Sequence, residues 1–79
     1  MDTKQVTIYS TPSCHFCKAA KEFFDANKVS FTEYNVASDL DKRKEMIEKS
    51  GQMGVPVITV GQDLVVGFDE GRLKELLAV

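Results

Sequence analysis

The chain has 79 residues, 28% of them charged, and a formal net charge of −2 at pH 7. This length fits one domain, 1–79, and the near-neutral charge argues against a nucleic-acid partner. No apolar run reaches the roughly 18 residues that a membrane-spanning helix needs, and residues 1–5 lack the apolar region of a signal peptide. We therefore expect a cytoplasmic protein that binds neither nucleic acid nor membrane.

A predicted strand and a predicted helix lie on either side of the two cysteines. Residues 5–9 alternate and are rich in β-forming residues, which predicts the first strand. Residues 11–13 break that strand, and Ser13 suits the N-cap of a helix that ends near residues 27–28. The helix carries an apolar stripe typical of a core-facing side, formed by Phe16, Ala19, Ala20, Phe23 and Phe24. Phe16, between the cysteines, is the member that we expect to be partly exposed.

Cys14 and Cys17 are the only cysteines, and they stand at this strand-to-helix junction. A Cys-x-x-Cys in such a context is typical of a dithiol redox site. Free backbone N–H groups and the positive dipole end at a helix start favour a thiolate, which lowers the pKa of the Cys14 thiol below that of a free cysteine. Cys17 lies nearly one turn further on and closer to the core. We therefore predict that Cys14 is the attacking thiol and Cys17 the resolving thiol.

Two other interpretations of the cysteine pair remain open. The cysteines could be buried and inert, or they could bind zinc. A zinc ion takes four ligands, and only Cys14, Cys17 and His15, the single histidine, are available. Because His15 adjoins Cys14, their side chains diverge on a helix, and we expect no bound metal. One disulfide in a reducing compartment is more typical of transient catalysis than of a structural crosslink.

The middle of the chain predicts a strand and a charged helix. Residues 29–36 are rich in β-formers and predict the second strand. Ser38 and Asp41 form a capping-box pattern at the start of a helix over 39–50, and Gly51 ends it. Its few apolar residues predict one thin buried face: Leu40, Met46 and Ile47.

The last third predicts a hairpin and a final helix. Residues 57–60 and 63–66 are strand-like, and the intervening Gly61-Gln62 suits a two-residue turn. Asp69 can cap the last helix, which carries three leucines on one side: Leu73, Leu76 and Leu77. The order is β-α-β-α-β-β-α, with the first two strands parallel and the hairpin antiparallel. This order predicts an α/β fold with a mixed four-stranded sheet and helices on both faces.

Several motifs together resemble the glutaredoxin family of the thioredoxin-fold superfamily, over essentially the whole chain. They are Ile8-Tyr9 before the cysteines, the charged segment 42–47, Ser50-Gly51, Val55-Pro56, and Gly67 before an acidic helix start. The resemblance implies a thioredoxin-like fold, thiol-disulfide oxidoreductase activity and glutathione as a co-substrate.

The resemblance also implies a substrate site around the cysteines. Pro56 is then cis, and the backbone of Val55 pairs with a protein substrate or glutathione as an added strand does. Asp69 and Glu70 contribute helix N-terminal amides for a carboxylate and acidic side chains for an ammonium group. The remaining residues implied at this site are Thr11, His15, Phe16 and Gly67.

Three departures from the family pattern bear on the electron donor. His15-Phe16 stands where many glutaredoxins have Pro-Tyr, and Thr11 stands where many have a lysine that pairs with glutathione. Gly67-Phe68 replaces a Gly-Gly pair, which is similar to the glutaredoxin-like redoxins that thioredoxin reductase reduces and that serve ribonucleotide reductase. We expect a monomer that reduces disulfide-bearing proteins and glutathione mixed disulfides. Glutathione is slightly favoured over thioredoxin reductase as electron donor.

Two further functions stay open at this point. Some glutaredoxins without the proline hold a [2Fe–2S] cluster between two subunits through the first cysteine and glutathione, and His15 makes such a carrier conceivable. The other is a binding module that has kept the fold without the chemistry.

Overall fold

A computed structural model describes residues 5–79. The strands are β1 (Val6–Ser10), β2 (Thr32–Asn35), β3 (Val57–Val60) and β4 (Asp63–Val66). The helices are α1 (His15–Ala26), α2 (Leu40–Ser50) and α3 (Glu70–Leu77), which completes the predicted order β-α-β-α-β-β-α. Residues 1–4, on which most of the signal-peptide expectation rests, lie outside the described residues. No helix within 5–79 is both long and apolar enough to cross a membrane.

The strands form one mixed sheet in the order β2-β1-β3-β4. β1 runs parallel to β2, which follows it through the α1 crossover, and antiparallel to β3. β3 and β4 form the predicted antiparallel hairpin, and Gly61 supplies the positive φ that its turn requires (61°). The predicted parallel and antiparallel pairings are therefore confirmed.

Helices cover both faces of the sheet, as predicted. The larger core unites α1 and α3 with one face and contains Ile8, Phe24, Ile58 and Leu73. The smaller core lies under α2 and contains Tyr9, Val36, Met46 and Val57. Alternation along β1 produces this division, because Ile8 and Tyr9 point to opposite faces and are both buried.

The second strand is shorter than the predicted 29–36, because Val29, the first residue of the predicted strand, takes part in the C-terminal cap of α1. The N–H of Val29 donates to the carbonyl of Phe24 at 2.8 Å, and that of Lys28 to Asp25 at 3.2 Å. These two bonds form a Schellman cap, with Lys28 at a left-handed φ of 58°. Residues 32–35 form β2 and pair with β1, and the N–H of Val36 donates to the carbonyl of Ser10 at 2.9 Å.

Two expectations for α2 are wrong. Its N-cap is Asp39, whose carboxylate accepts the N–H of Lys42 at 3.1 Å, and not Ser38. The side chain of Asn35 accepts the N–H of Ala37 at 2.9 Å, and this turn delays the helix by one residue. Leu40, at the first helical position, is 69% exposed, so the buried face depends on Met46 with Ile47 beside it.

Candidate active site

Cys14 and Cys17 are joined by a disulfide, with their Cα atoms 5.2 Å apart. Cys17 is completely buried in the first turns of α1, whereas Cys14 is partly exposed. This difference agrees with the predicted depth of the two sulfurs. An incoming disulfide can reach the sulfur of Cys14 from solvent, but it cannot reach that of Cys17.

Cys14 itself is the N-cap of α1, and the prediction of Ser13 for that position is wrong. Its backbone is extended (φ −82°, ψ 113°), and its Sγ accepts the N–H of Cys17 at 3.1 Å. A preceding turn fixes this conformation, because the N–H of Cys14 donates to the carbonyl of Thr11 at 3.2 Å. A sulfur in the place of an N-cap oxygen lies at the positive end of the helix dipole and receives one of the free amides.

The two residues between the cysteines are open to solvent. His15 and Phe16 are exposed, Phe16 to 60%, and their rings meet edge to face with centroids 5.6 Å apart. The partial exposure expected of Phe16 is confirmed, and it is larger than expected. An exposed aromatic ring next to the cysteine pair offers apolar contact area to a bound ligand.

The Val55–Pro56 peptide bond is cis, as the family resemblance implied. Pro56 is buried and Val55 is half-buried. The carbonyl of Pro56 accepts the N–H of Gly67 at 2.8 Å, which joins the start of β3 to the loop before α3. Within residues 5–79 the backbone N–H and C=O of Val55 have no hydrogen-bond partner.

The loop into α3 contains the other predicted binding residues. Gly67 has a φ of 84°, in the left-handed region that glycine adopts at least cost, and Phe68 packs on Phe23 with ring centroids 6.0 Å apart. Asp69 caps α3, since its carboxylate accepts the N–H of Arg72 at 3.1 Å. The carboxylate of Glu70 lies 3.5 Å from the ammonium of Lys74. Both acidic side chains therefore have partners within α3.

Main-chain hydrogen bonds join the predicted site residues in two groups, Thr11 with Cys14 and Pro56 with Gly67. In the part of the chain that the structure describes, no hydrogen bond or ion pair links one group to the other. The fold places both groups at the C-terminal end of β1 and the N-terminal end of β3, which are antiparallel neighbours with Tyr9 opposite Val57.

A polar chain anchors the end of β1 immediately before the site. The buried hydroxyl of Ser10 donates to the Glu33 carboxylate at 2.7 Å, and the Lys21 ammonium donates to the same oxygen at 2.8 Å. The bond from Lys21, followed by that from Ser10, holds the pKa of the Glu33 carboxyl below its ordinary value. These bonds connect β1, β2 and α1 where the chain enters the cysteine motif.

A second polar group anchors β1 on the opposite face of the sheet. The hydroxyl of Tyr9 donates to the Glu45 carboxylate of α2, and Lys49 lies 3.8 Å from that carboxylate. Burial, together with the bond to Glu45, raises the pKa of Tyr9 above its ordinary value. Ser10 and Tyr9 are therefore each held by a carboxylate from a different element.

One feature of the loop before Pro56 could not be predicted from the sequence. The side-chain amide of Gln52 makes two hydrogen bonds to Gly54: it accepts the Gly54 N–H at 2.6 Å and donates to the Gly54 carbonyl at 3.1 Å. A glutamine two residues before a glycine is too common a pattern to predict this pairing. Across residues 5–79 no group of three or more His, Cys, Asp or Glu side chains is placed to hold a metal ion.

The sequence matches the family model described as Glutaredoxin over residues 6–65. It is 40% identical over 72 residues to a glutaredoxin-like 8.6 kDa protein in the rubredoxin operon of Clostridium pasteurianum, covering 91% of this chain and 96% of that protein. The crystal structure of a glutaredoxin from Archaeoglobus fulgidus superposes with a TM-score of 0.86 at 27% identity, over 96% of this chain and 88% of the other. The glutaredoxin-like NrdH-redoxin from Escherichia coli, described as having a thioredoxin-like activity profile, superposes with a TM-score of 0.80 at 25% identity, over 91% and 93% of the two chains.

Proposed function

The chain belongs to the glutaredoxin family, and we propose that it reduces protein disulfides and glutathione mixed disulfides through Cys14 and Cys17. Its family makes it a thiol-disulfide oxidoreductase. The observation that carries the proposal is the position of the Cys14 sulfur. That sulfur caps α1 and accepts the N–H of Cys17, and Cys14 is partly exposed while Cys17 is buried.

The proposed reaction uses both sulfurs in turn. The Cys14 thiolate attacks one sulfur of the substrate disulfide, forms a mixed disulfide and releases the other substrate sulfur as a thiolate, which takes up a proton. Cys17 then loses its proton and attacks the Cys14 sulfur, which releases the second substrate thiol and leaves the Cys14–Cys17 disulfide. The substrate gains two electrons, which the two protein sulfurs lose, and two protons, which are those that Cys14 releases on ionising and that Cys17 releases before its attack. The disulfide in the structure corresponds to the product state of this sequence.

We propose glutathione as the donor that restores the dithiol. The first amides of α3 and the unpartnered backbone of Val55 suit the carboxylate and peptide groups of such a ligand. Thr11 supplies no cationic contact. Binding would therefore depend on hydrogen bonds and on the apolar surface of Phe16 more than on ion pairs.

A second donor, a flavoprotein thioredoxin reductase, is favoured by one specific observation. Phe68 fills the position where many family members have a second glycine, and it packs on Phe23 of α1. The similarity to NrdH-redoxin, described as having a thioredoxin-like activity profile, points in the same direction.

A coupled assay distinguishes the two donors. The oxidised protein is offered either glutathione with glutathione reductase and NADPH, or thioredoxin reductase with NADPH, and NADPH oxidation is followed with a protein disulfide as the final acceptor. The proposal predicts turnover with glutathione. Turnover with thioredoxin reductase alone would replace glutathione by the second donor, and turnover with neither, in the presence of a reducible disulfide, would refute the proposed reaction.

A further inference from the structure

The amide of Gln52 pairs with Gly54 as a neighbouring strand would. In a hydrogen-bonded antiparallel pair, two residues exchange both N–H···O=C bonds. Here one side-chain amide supplies both partners, at 2.6 Å to the Gly54 N–H and 3.1 Å to the Gly54 carbonyl. Gly54 stands directly before the Val55–Pro56 cis bond. The pairing groups of this backbone position are therefore already occupied.

Ser50, the last residue of α2, holds the backbone of Gln52 in place. The hydroxyl of Ser50 donates to the carbonyl of Met46 at 2.7 Å and lies 2.9 Å from the carbonyl of Gln52. The N–H of Gln52 lies 3.3 Å from the same hydroxyl. Gln52 is half-buried, whereas the neighbouring Met53 is exposed. The amide is thus tied to the C-terminal end of α2 and does not extend freely into solvent.

The absence of a side chain at Gly54 is part of this arrangement. A Cβ built there would lie 2.7 Å from Oε1 of Gln52, closer than real Cβ contacts come. The φ of Gly54 does not lie in the left-handed region, so backbone conformation does not itself demand glycine. Any larger residue at position 54 would displace the Gln52 amide.

We propose that Gln52 is a positioning residue for substrate binding: its amide holds Gly54 so that the backbone of Val55 alone is offered to an extended substrate segment. The N–H and C=O of Gly54 are bonded to Gln52, whereas the N–H and C=O of the next residue, Val55, have no partner within residues 5–79. This inference rests on the proposed function, because it concerns how that reaction's substrate is held.

The substrate class follows from this geometry. A segment with peptide groups beside its disulfide, such as a cystine in an extended protein loop or oxidised glutathione, can pair with Val55. A small disulfide without peptide groups gains nothing from the pairing. Gln52 does not touch either cysteine, so its loss leaves the chemistry of Cys14 unchanged.

The experiment measures single-turnover reduction of two disulfides by the reduced protein, oxidised glutathione and bis(2-hydroxyethyl) disulfide. The variants are Gln52→Ala, Gly54→Ala and the double substitution, and Gln62→Ala in the distant hairpin turn is the matched control. We expect Gln52→Ala to lower the second-order rate constant for oxidised glutathione about tenfold and to change that for the small disulfide less than twofold. Gly54→Ala should give the same pattern, and the double variant no further loss, because both remove one interaction.

The outcomes separate this inference from the proposed function. Equal losses on both substrates, an unchanged rate for oxidised glutathione in Gln52→Ala, or additive losses in the double variant would overturn the role of Gln52 alone. A wild-type protein that reduces neither disulfide would overturn the proposed function and this inference together. The far-UV circular dichroism spectrum of each variant shows whether it has folded.

Discussion

The backbone N–H of Cys17 points at the sulfur of Cys14, 3.1 Å away, across the first turn of α1. In an ordinary helix this bond goes to the oxygen of a serine, threonine or aspartate N-cap. Here a sulfur occupies the capping position, so the group that starts the helix is also the group that we propose to react. The amide that stabilises the helix end would equally stabilise a negative charge on that sulfur.

The first prediction separates the roles of the two cysteines. Cys14→Ser should abolish reduction of every substrate, because the nucleophile is lost. Cys17→Ser should retain reduction of glutathione mixed disulfides and lose reduction of protein disulfides, because release of a protein substrate requires the second thiol. Activities of the two variants are measured with a glutathionylated peptide and with a protein disulfide. Equal and full activity in both variants would refute the assigned roles.

The second prediction concerns the missing lysine at position 11. Thr11→Lys should lower the KM for glutathione about two- to fivefold with little change in kcat, as expected of one partly exposed ion pair. The gain should shrink as salt is added, because screening weakens such pairs. Gln62→Lys adds the same charge in the hairpin turn and should leave KM unchanged. An equal gain in both variants would show that net charge, and not a contact at position 11, is responsible.

The third prediction concerns Glu33, which joins Ser10 and Lys21 at the end of β1. Its folded-state pKa is lowered, so its contribution to stability is present above the pKa of an unfolded glutamate and is lost as pH falls through the folded-state value. Glu33→Gln should cost on the order of 0.5–1 kcal/mol at pH 7, after allowance for the partial exposure of the pair. The difference from wild type should shrink as pH falls below the pKa of an unfolded glutamate.

Urea unfolding at several pH values tests this prediction. The matched control is Glu75→Gln, which removes an exposed carboxylate paired with Arg72 at 3.1 Å on α3. That change should have an effect of less than about 0.3 kcal/mol at any pH. A wild-type advantage over Glu33→Gln that stays constant down to pH 3 would contradict the assigned charge interaction.

The fourth prediction concerns Lys28, which holds a φ of 58° in the cap at the end of α1. Left-handed backbone is costly for residues with a Cβ, so Lys28→Gly should stabilise the protein by about 0.5–1 kcal/mol once the greater freedom of glycine in the unfolded chain is included. For a domain of this size that corresponds to roughly 2–8 °C in Tm. Lys28→Ala removes the charge but keeps the Cβ, and it should change Tm little. A rise of Tm in the alanine variant alone would assign the effect to charge.

Most of the fold was predictable from local sequence patterns, because these patterns reflect the burial of apolar side chains and the backbone conformation of turns. The alternation in β1 predicts a strand, the apolar stripe with Phe23 and Phe24 predicts a core-facing helix, and Gly61 predicts the hairpin turn. The structure contains all three. Errors occurred where two local solutions compete. Ser38 and Asp39 can both cap α2, and the Asn35 turn decides for Asp39.

The candidate site was predictable to a different degree in each of its parts. Cys14 and Cys17 are identified by spacing and context alone. The N-cap of α1 was not predictable, because a cysteine sulfur rarely caps a helix and Ser13, a common N-cap residue type, directly precedes Cys14. The hydrogen bonds between Gln52 and Gly54 were also not predictable from the sequence, since they depend on the bend of the chain after α2 and on the absence of a Cβ at position 54.

The most direct test is the pH dependence of alkylation of the reduced protein by iodoacetamide, with mass spectrometry to locate the label. We predict that Cys14 is labelled well before Cys17, with a midpoint below that of a free cysteine, because its sulfur caps α1 while Cys17 is buried. Labelling of both cysteines at equal rates, or a midpoint for Cys14 equal to that of free cysteine, would contradict this account.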